Sequence, residues 1–381
     1  MNITISKKDL LRLIARCLGV VEKKTTMPVL TNVLVAVDTP NTVRVAATDI
    51  HLAVSSQMSA DVDGEGSAAI PARDLYDRVK AMPEGPVSIR AGESTHTELR
   101  SETSPRWYRV PSFDGSSFPA LPEPAPDAPT LELEVELLSR LINQTQFSIS
   151  ADESKAALNS ALFEWEGDRI RMVTADRHRL TKVEANVPGR QATATMLIPA
   201  KAIAELRKLA NDAMSFKSAG DEPSMVTIVQ SGPNVFFTFG DVQFSSKLVD
   251  GQFPAYQKII MKASDRSVRV PRVVLIDALE AVSLAASERT GGVKLTIEPG
   301  TMRITSGSSE SGEGYDEVPV DYDGKSTAIG FNAKYLLDVL RVLDDEEVEL
   351  QLFGELDPVI VKPAVELSDR SFLSVVMPMR I

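Results

Sequence analysis

The densest group of potentially reactive side chains in the sequence is Asp176-Arg177-His178-Arg179-Leu180. An Asp beside a His can orient an imidazole for general-base work, so a hydrolase or small-molecule-binding site using Asp176 and His178 is one reading. That chemistry needs a nucleophile. Cys17 or any of several serines could be put forward, but sequence proximity supports none of them. A structural or ligand-contacting His at a strand-to-loop junction accounts for His178 with fewer assumptions. Cys17 lies in the apolar stretch Leu13-Ile14-Ala15-Arg16-Cys17-Leu18, where it is expected to pack as a small hydrophobe.

Other motifs fail on spacing. Asp323-Gly324-Lys325-Ser326-Thr327 resembles the end of a phosphate loop, but the glycine required five positions before Gly324 is Pro319. A surface turn is expected there. No Gly-x-Ser-x-Gly elbow or Gly-x-Gly-x-x-Gly fingerprint occurs. The run Asp344-Asp345-Glu346-Glu347-x-Glu349 reads as a solvated face rather than a metal site. One cysteine excludes an intramolecular disulfide and any multi-cysteine metal site, and His51, His96 and His178 lack ligand spacing. No cofactor is expected.

The elements behind these residues come from a repeat. Ile70-Pro71-Ala72-Arg73 recurs 128 residues later as Ile198-Pro199-Ala200-Lys201, and more loosely as Phe331-Asn332-Ala333-Lys334. Arg12-Leu13-Ile14 returns as Arg140-Leu141-Ile142, and Ala47-Thr48-Asp49 as Thr174-Ala175-Asp176. Each copy predicts two amphipathic helices, with proline in the first turn of the second helix in two of the copies. The six predicted helices span 7–18, 71–82, 134–146, 201–211, 271–285 and 333–343. Strand pairs are predicted at 33–37 with 43–47, 161–165 with 169–173, and 293–297 with 302–305. The result is an α+β plan with helices on one sheet face. A Pro-rich connector, 121–129, marks one boundary, and a softer one lies near 256–269. The expected domains are 1–128, 129–256 and 257–381.

With 381 residues, 43% of them apolar and 25% charged, the chain has ample material for packed cores. Its net charge of −12 argues against a tight nucleic-acid binder, because neutralising phosphates needs clustered Lys and Arg. The start has no secretory apolar core and no apolar run is long enough for a membrane span, so a cytoplasmic setting is expected.

Several segments closely resemble the bacterial DNA polymerase III beta-subunit family, the sliding clamps. They include Met27-Pro28-Val29-Leu30-x-Asn32, Thr174-Ala175-Asp176-Arg177-His178-Arg179-Leu180, Ser246-Lys247-Leu248-Val249-Asp250-Gly251-x-Phe253-Pro254-x-Tyr256, Gly330-Phe331-Asn332-Ala333-x-Tyr335-Leu336-x-Asp338-Val339-Leu340 and Val375-Val376-Met377-Pro378-Met379-Arg380-Ile381. The match runs in order through the whole chain.

The resemblance implies three tandem DNA-clamp domains, helices lining the inner face with antiparallel sheets outside, and a head-to-tail homodimeric ring around duplex DNA. It implies no catalysis. Twelve helices about 10 Å apart would close a ring of axes roughly 38 Å across. Subtracting a helix diameter of about 10 Å leaves an opening of roughly 28 Å, enough for a duplex and a water layer. The implied partners are double-stranded DNA bound without sequence preference, the polymerase III alpha subunit, the clamp loader, and other polymerases and repair proteins carrying short linear motifs.

By position the motif pocket comprises Leu158, Ala175, Arg177, His178, Arg179, Leu180, Pro254, Ile259, Val375, Val376, Met377, Pro378 and Met379, with Lys258 and Arg380 at the rim. Arg177 departs from the family, where glycine is common. The implied DNA-facing residues are Lys24, Arg73, Lys80, Lys201 and Arg207; Asp152 is an acidic departure at a further such position. Other helix cations, Arg12 and Arg16 among them, are candidates for the same face. The implied dimer contacts are Trp107 and Tyr108 on one side and Leu284 and Ala285 on the other. A paralogous clamp with a specialised role is a further reading.

The six predicted helices carry 14 cations against 9 anions, a net +5 that leaves −17 for everything else. The acidity is therefore a property of the loops and outer strands. It excludes a tight sequence-reading DNA binder but not a ring held on DNA by topology.

Overall fold

The computed structural model describes residues 1–380 other than Glu93, Ser94, Arg190, Gln191, 216–222, Lys262, Ala263, Asp265, Glu310 and Glu366. Ile381 and part of the expected 256–269 boundary lie outside the described residues. Among the described residues six α-helices appear where the apolar periodicity puts them: α1 Lys7–Cys17, α2 Ala72–Ala81, α3 Val135–Thr145, α4 Ala200–Met214, α5 Arg272–Ser283 and α6 Ala333–Arg341. Each buries one stripe, for example Leu10, Leu13, Ile14 and Cys17 in α1 and Leu275, Ala278, Leu279 and Val282 in α5. Ser6 caps α1 by accepting from the Asp9 amide, and Asn332 caps α6 by accepting from Lys334. Pro71 is not in the first turn of α2. It ends the strand Gly66–Pro71 and stands as the residue before the helix, where its fixed φ of −52° turns the chain from strand to helix.

The chain forms two compact units. Residues 1–139 with 204–248 make the first, and residues 140–203 with 249–381 the second. The first unit holds two antiparallel sheets. One has five strands and ends on Trp107–Pro111. The other has nine, in which Leu52–Ser59 of the first repeat pairs with Val242–Lys247 of the second. Helix α1 packs on Thr42–Thr48 and Leu52–Ser59. The second unit repeats the plan. An eight-stranded sheet joins Arg179–Asn186 of the second repeat to Arg370–Val376 of the third. A four-stranded sheet ends on Gly312–Pro319, against which α5 packs.

The repeat persists at the level of single hydrogen bonds. Asp49 Oδ1 accepts from the amides of His51 and Leu52, and Asp176 Oδ1 accepts from those of His178 and Arg179. In each case the His carbonyl then accepts one more bond beyond the paired strands, from Lys247 N at 2.8 Å and from Met377 N at 2.8 Å respectively. Ile50, at φ 78°, sits in the first of these turns in the left-handed region, a conformation a β-branched residue rarely takes.

Two sequence readings change in detail. Residues 323–327 are a loop running into the strand Thr327–Asn332, and no helix follows to bind phosphate. Gly324 is there because the Tyr322 ring lies over it: a Cβ would come 2.5 Å from the ring, whose hydroxyl donates to the Lys325 carbonyl. The acidic run is not solvated throughout. Glu349 is buried in the strand Glu347–Leu352, where it accepts from Gln351 and faces Lys362 Nζ at 3.6 Å.

Candidate partner-binding groove

The groove belongs to the second unit and begins with a row of side chains on one face of the eight-stranded sheet. Leu197, Leu162 and Val173 stand in register across three strands, as do Ala175, Leu180, Val375 and Ile360 across four. Every second residue of a strand shares a face, so these register partners form one apolar surface. Tyr256 completes the buried cluster, and Leu158, Val249, Phe253, Ile260 and Phe353 pack partly buried against it. Tyr256 donates its hydroxyl to Glu164 at 2.8 Å and meets Phe253 edge-on with ring centres 6.4 Å apart. Ile259 and Met377, each 40% exposed, leave apolar area open to solvent beside this surface.

Polar contacts fix the hairpin tip above it. The Asp176 carboxylate ties down the backbone of the turn and also accepts from Arg179 Nε at 3.1 Å. Arg179 Nη1 reaches Asp338 of α6 at 2.7 Å, and its Nη2 donates to the Phe147 carbonyl. Its guanidinium carbon lies 4.8 Å from the centre of the Tyr335 ring and 5.2 Å from that of Phe147. The His178 ring also stacks on Tyr335, 5.5 Å between centres and 17° from parallel. Burial raises the Tyr335 phenol above its usual range, and the Asp176 charge adds to that effect. The terminal segment leaves the sheet at Val376 and is held by its backbone: Met377 N donates to His178 O, and Met379 N to Gly330 O, both at 2.8 Å. Pro378 between them cannot donate, which suits a segment that has left the ladder.

Of the sequence-identified residues, Leu158, Ala175, Leu180 and Val375 share the apolar cluster. Arg177, His178, Pro254, Lys258, Ile259, Met377 and Arg380 are exposed, and Pro378 and Met379 are half-buried. Two do not line the apolar surface. Val376 and Arg179 are register partners on the opposite sheet face, and both are buried there. Arg179 holds the hairpin in place through Asp176, Asp338 and the Phe147 carbonyl. Tyr335, Asp338 and Phe147, which the sequence reading does not single out, hold the hairpin tip through Arg179 and His178. Tyr335 and Asp338 stand three apart on one helix face, inside a motif already noted, and that spacing was the available signal.

The other named residues are scattered. Lys24, Arg73, Lys80, Lys201 and Arg207 are exposed, the last four on α2 and α4. Arg12 and Arg16 are engaged by carboxylates of the chain itself. Arg16 is buried, with Nη2 at 2.8 Å from Asp212 and Nη1 at 3.0 Å from Asp241, and Arg12 shares Asp212. Trp107 and Leu284 are 52% and 83% exposed. Ala285 is buried instead, because the strand at Gly314 passes so near α5 that a Cβ there would lie 3.2 Å from the Ala285 methyl. Among the described residues no group of His, Cys, Asp or Glu could hold a metal, and no helix is long and apolar enough to cross a membrane.

Three tandem α+β repeats that share antiparallel sheets across their junctions are the architecture of a three-domain DNA clamp. Comparison with known proteins agrees domain by domain. The DNA polymerase III beta subunit N-terminal domain matches residues 1–122, its central domain 132–255 and its C-terminal domain 257–380. The beta sliding clamp of Pseudomonas putida is 32% identical over 384 residues and that of Escherichia coli K12 30% over 386, covering all of both chains. Sliding-clamp structures from Pseudomonas aeruginosa and Bartonella birtlesii, each bound to griselimycin, superpose with TM-scores of 0.90 over 100% of both chains at 29% and 30% identity. The chain belongs to the DNA polymerase III beta subunit family. It is a DNA sliding clamp, a non-catalytic processivity factor of DNA replication.

Proposed function

We propose that two copies of this chain close head to tail into a ring around duplex DNA, and that the groove above the eight-stranded sheet receives short linear motifs of its partners. Those partners are the polymerase III alpha subunit, the clamp loader, and other polymerases and repair proteins, in the cytoplasm. Ring opening draws on ATP used by the loader, not by this chain. The domains run 1–128, 129–256 and 257–381, somewhat beyond the family matches.

The observation that carries the groove assignment is the exposed apolar area of Ile259 and Met377, each 40% exposed, on a chain whose buried cluster of Ala175, Leu180 and Val375 borders the same hairpin and terminal segment. Leu, Val and two flexible thioethers suit the side chains of an extended peptide with Leu or Phe anchors. The two griselimycin-bound relatives are also in keeping with a ligand-binding clamp surface. For the dimer, support comes from unpaired edges. The five-stranded sheet ends on Trp107–Pro111, and the four-stranded sheet on Gly312–Pro319, where Tyr315 is 61% exposed. Such edges invite pairing, and joining them would make nine strands, as within the first unit. Trp107, Tyr108 and Leu284 stand at or near these edges; Lys24, Arg73, Lys80, Lys201 and Arg207 supply the DNA-facing charge.

The test of the groove is Met377→Ala combined with Met379→Ala. Affinity for a Leu/Phe-anchored peptide should fall about tenfold or more, as expected for removing two thioether contacts, while sedimentation still reports a dimer. Unchanged affinity removes the assignment.

A further inference from the structure

Arg177 is the one member of its hairpin tip not engaged in holding it. Asp176 caps the turn, His178 stacks on Tyr335, and Arg179 is buried among Asp176, Asp338 and Phe147. Arg177 points outward, 65% exposed, and its ion partner is Asp152, with Nη2 at 3.5 Å from Oδ2. Two residues flanking the tip, Ala175 and Leu180, belong to the apolar cluster, so the tip that carries Arg177 borders that cluster.

Asp152 is built to stay charged and in place. Its Oδ1 accepts from the Ser154 hydroxyl at 2.5 Å and the Ser154 amide at 3.2 Å, which leaves Oδ2 to face Arg177. The Ser154 hydrogen bond is the main cause that holds the carboxyl below the usual Asp range, with Lys155 and Arg177 contributing less. The loop carrying it is anchored at both ends, by Ser150 N to Leu158 O and by Asn159 Nδ2 to Ser150 O, and Leu158 packs on the groove floor. The Arg177–Asp152 pair therefore links a hairpin tip and a loop that both border the groove. The remaining exposed charges contributed by the pocket residues, Lys258 and Arg380, are also cations.

We propose that Arg177 is a specificity-determining residue that reads a carboxylate on the docked peptide, and that Asp152 occupies it in the empty groove. An acidic residue beside the apolar anchors replaces Asp152 Oδ2 at the guanidinium. Asp152 keeps both Ser154 bonds and returns to water, so the exchange costs little. This rests on the groove being the motif site, and it gives the preferred partner a chemistry: an apolar peptide with Asp or Glu next to its anchors. An exposed pair of this kind discriminates modestly and is weakened by salt.

The test uses the full-length chain and Leu/Phe-anchored peptides in which Asp is scanned through the positions flanking the anchors, each with an Asn twin. For wild type the best Asp peptide should bind about threefold tighter than its twin, the size expected of an exposed charge pair. In Arg177→Gln the ratio should fall to one while the Asn twin still binds. Asp152→Asn should raise affinity for the Asp peptide about twofold by removing the competitor. A ratio unchanged in Arg177→Gln, or weaker Asp-peptide binding in Asp152→Asn, overturns the proposal. If no peptide binds wild type at all, it is the motif-site reading that fails.

Discussion

Arg179 Nη1 and Asp338 Oδ2 lie 2.7 Å apart although 159 residues separate them in sequence. The contact fastens the hairpin tip of the second repeat to α6 of the third, and both groups are largely withdrawn from water. Removing one partner of such a pair leaves an uncompensated charge. Asp338→Ala should therefore cost about 2–3 kcal/mol, less than a fully isolated buried pair because Asp176 and the Phe147 carbonyl still serve Arg179. Urea unfolding measures this, and peptide affinity should fall in parallel because the tip loses its anchor. A loss below about 0.5 kcal/mol, the range of exposed pairs, contradicts the assignment.

Much of this fold was legible from periodicity. The six helices fall within three residues of their expected ends because apolar side chains recur at helical spacing, and internal offsets of 127 and 128 residues aligned the repeats before any contact was known. The shared sheets were not legible. Nothing in Arg179–Asn186 or Arg370–Val376 names the other as its partner, since their mixed apolar and polar residues would suit many neighbouring strands. Site residues divided in the same way. Leu158 and Leu180 are apolar by type and fall in one cluster. Arg179 and Arg16 have the composition of surface cations, and only long-range contacts reveal that Asp338, Asp212 and Asp241 withdraw them from solvent. Ala285 could not be recognised as buried without the close approach of Gly314.

Cys17 is wholly buried, and that burial pushes its thiol up to about 12 against the opposing effect of Arg16. A thiol whose folded value is raised stabilises the fold fully below the unfolded value, 9.0, and that contribution is lost as pH rises toward 12. A thiol reagent at pH 8 should label Cys17 only as fast as the protein opens. Above pH 9 the wild type should lose up to ~1.4 kcal/mol per pH unit more than Cys17→Ala does. Immediate labelling of the native protein, or parallel pH curves, would count against this burial.

The inner-face assignment makes a prediction about salt. If Lys24 and Arg73 each neutralise a phosphate, replacing either with Ala should weaken retention on DNA equally for all sequences. The slope of log affinity against log salt should become shallower by about 1 per residue. Arg12→Ala should leave the slope unchanged, because Arg12 is committed to Asp212. An unchanged slope in both Lys24→Ala and Arg73→Ala contradicts their placement at the duplex.

The central claim is that this acidic chain holds DNA by enclosing it. It is tested most directly by loading the protein onto a nicked circular duplex with its loader and ATP, washing in high salt, and then cutting the circle once. Enclosure predicts that the protein survives the salt wash on the circle and is released within minutes of linearisation. Loss in the salt wash, or retention on the linear duplex with free ends, would contradict it.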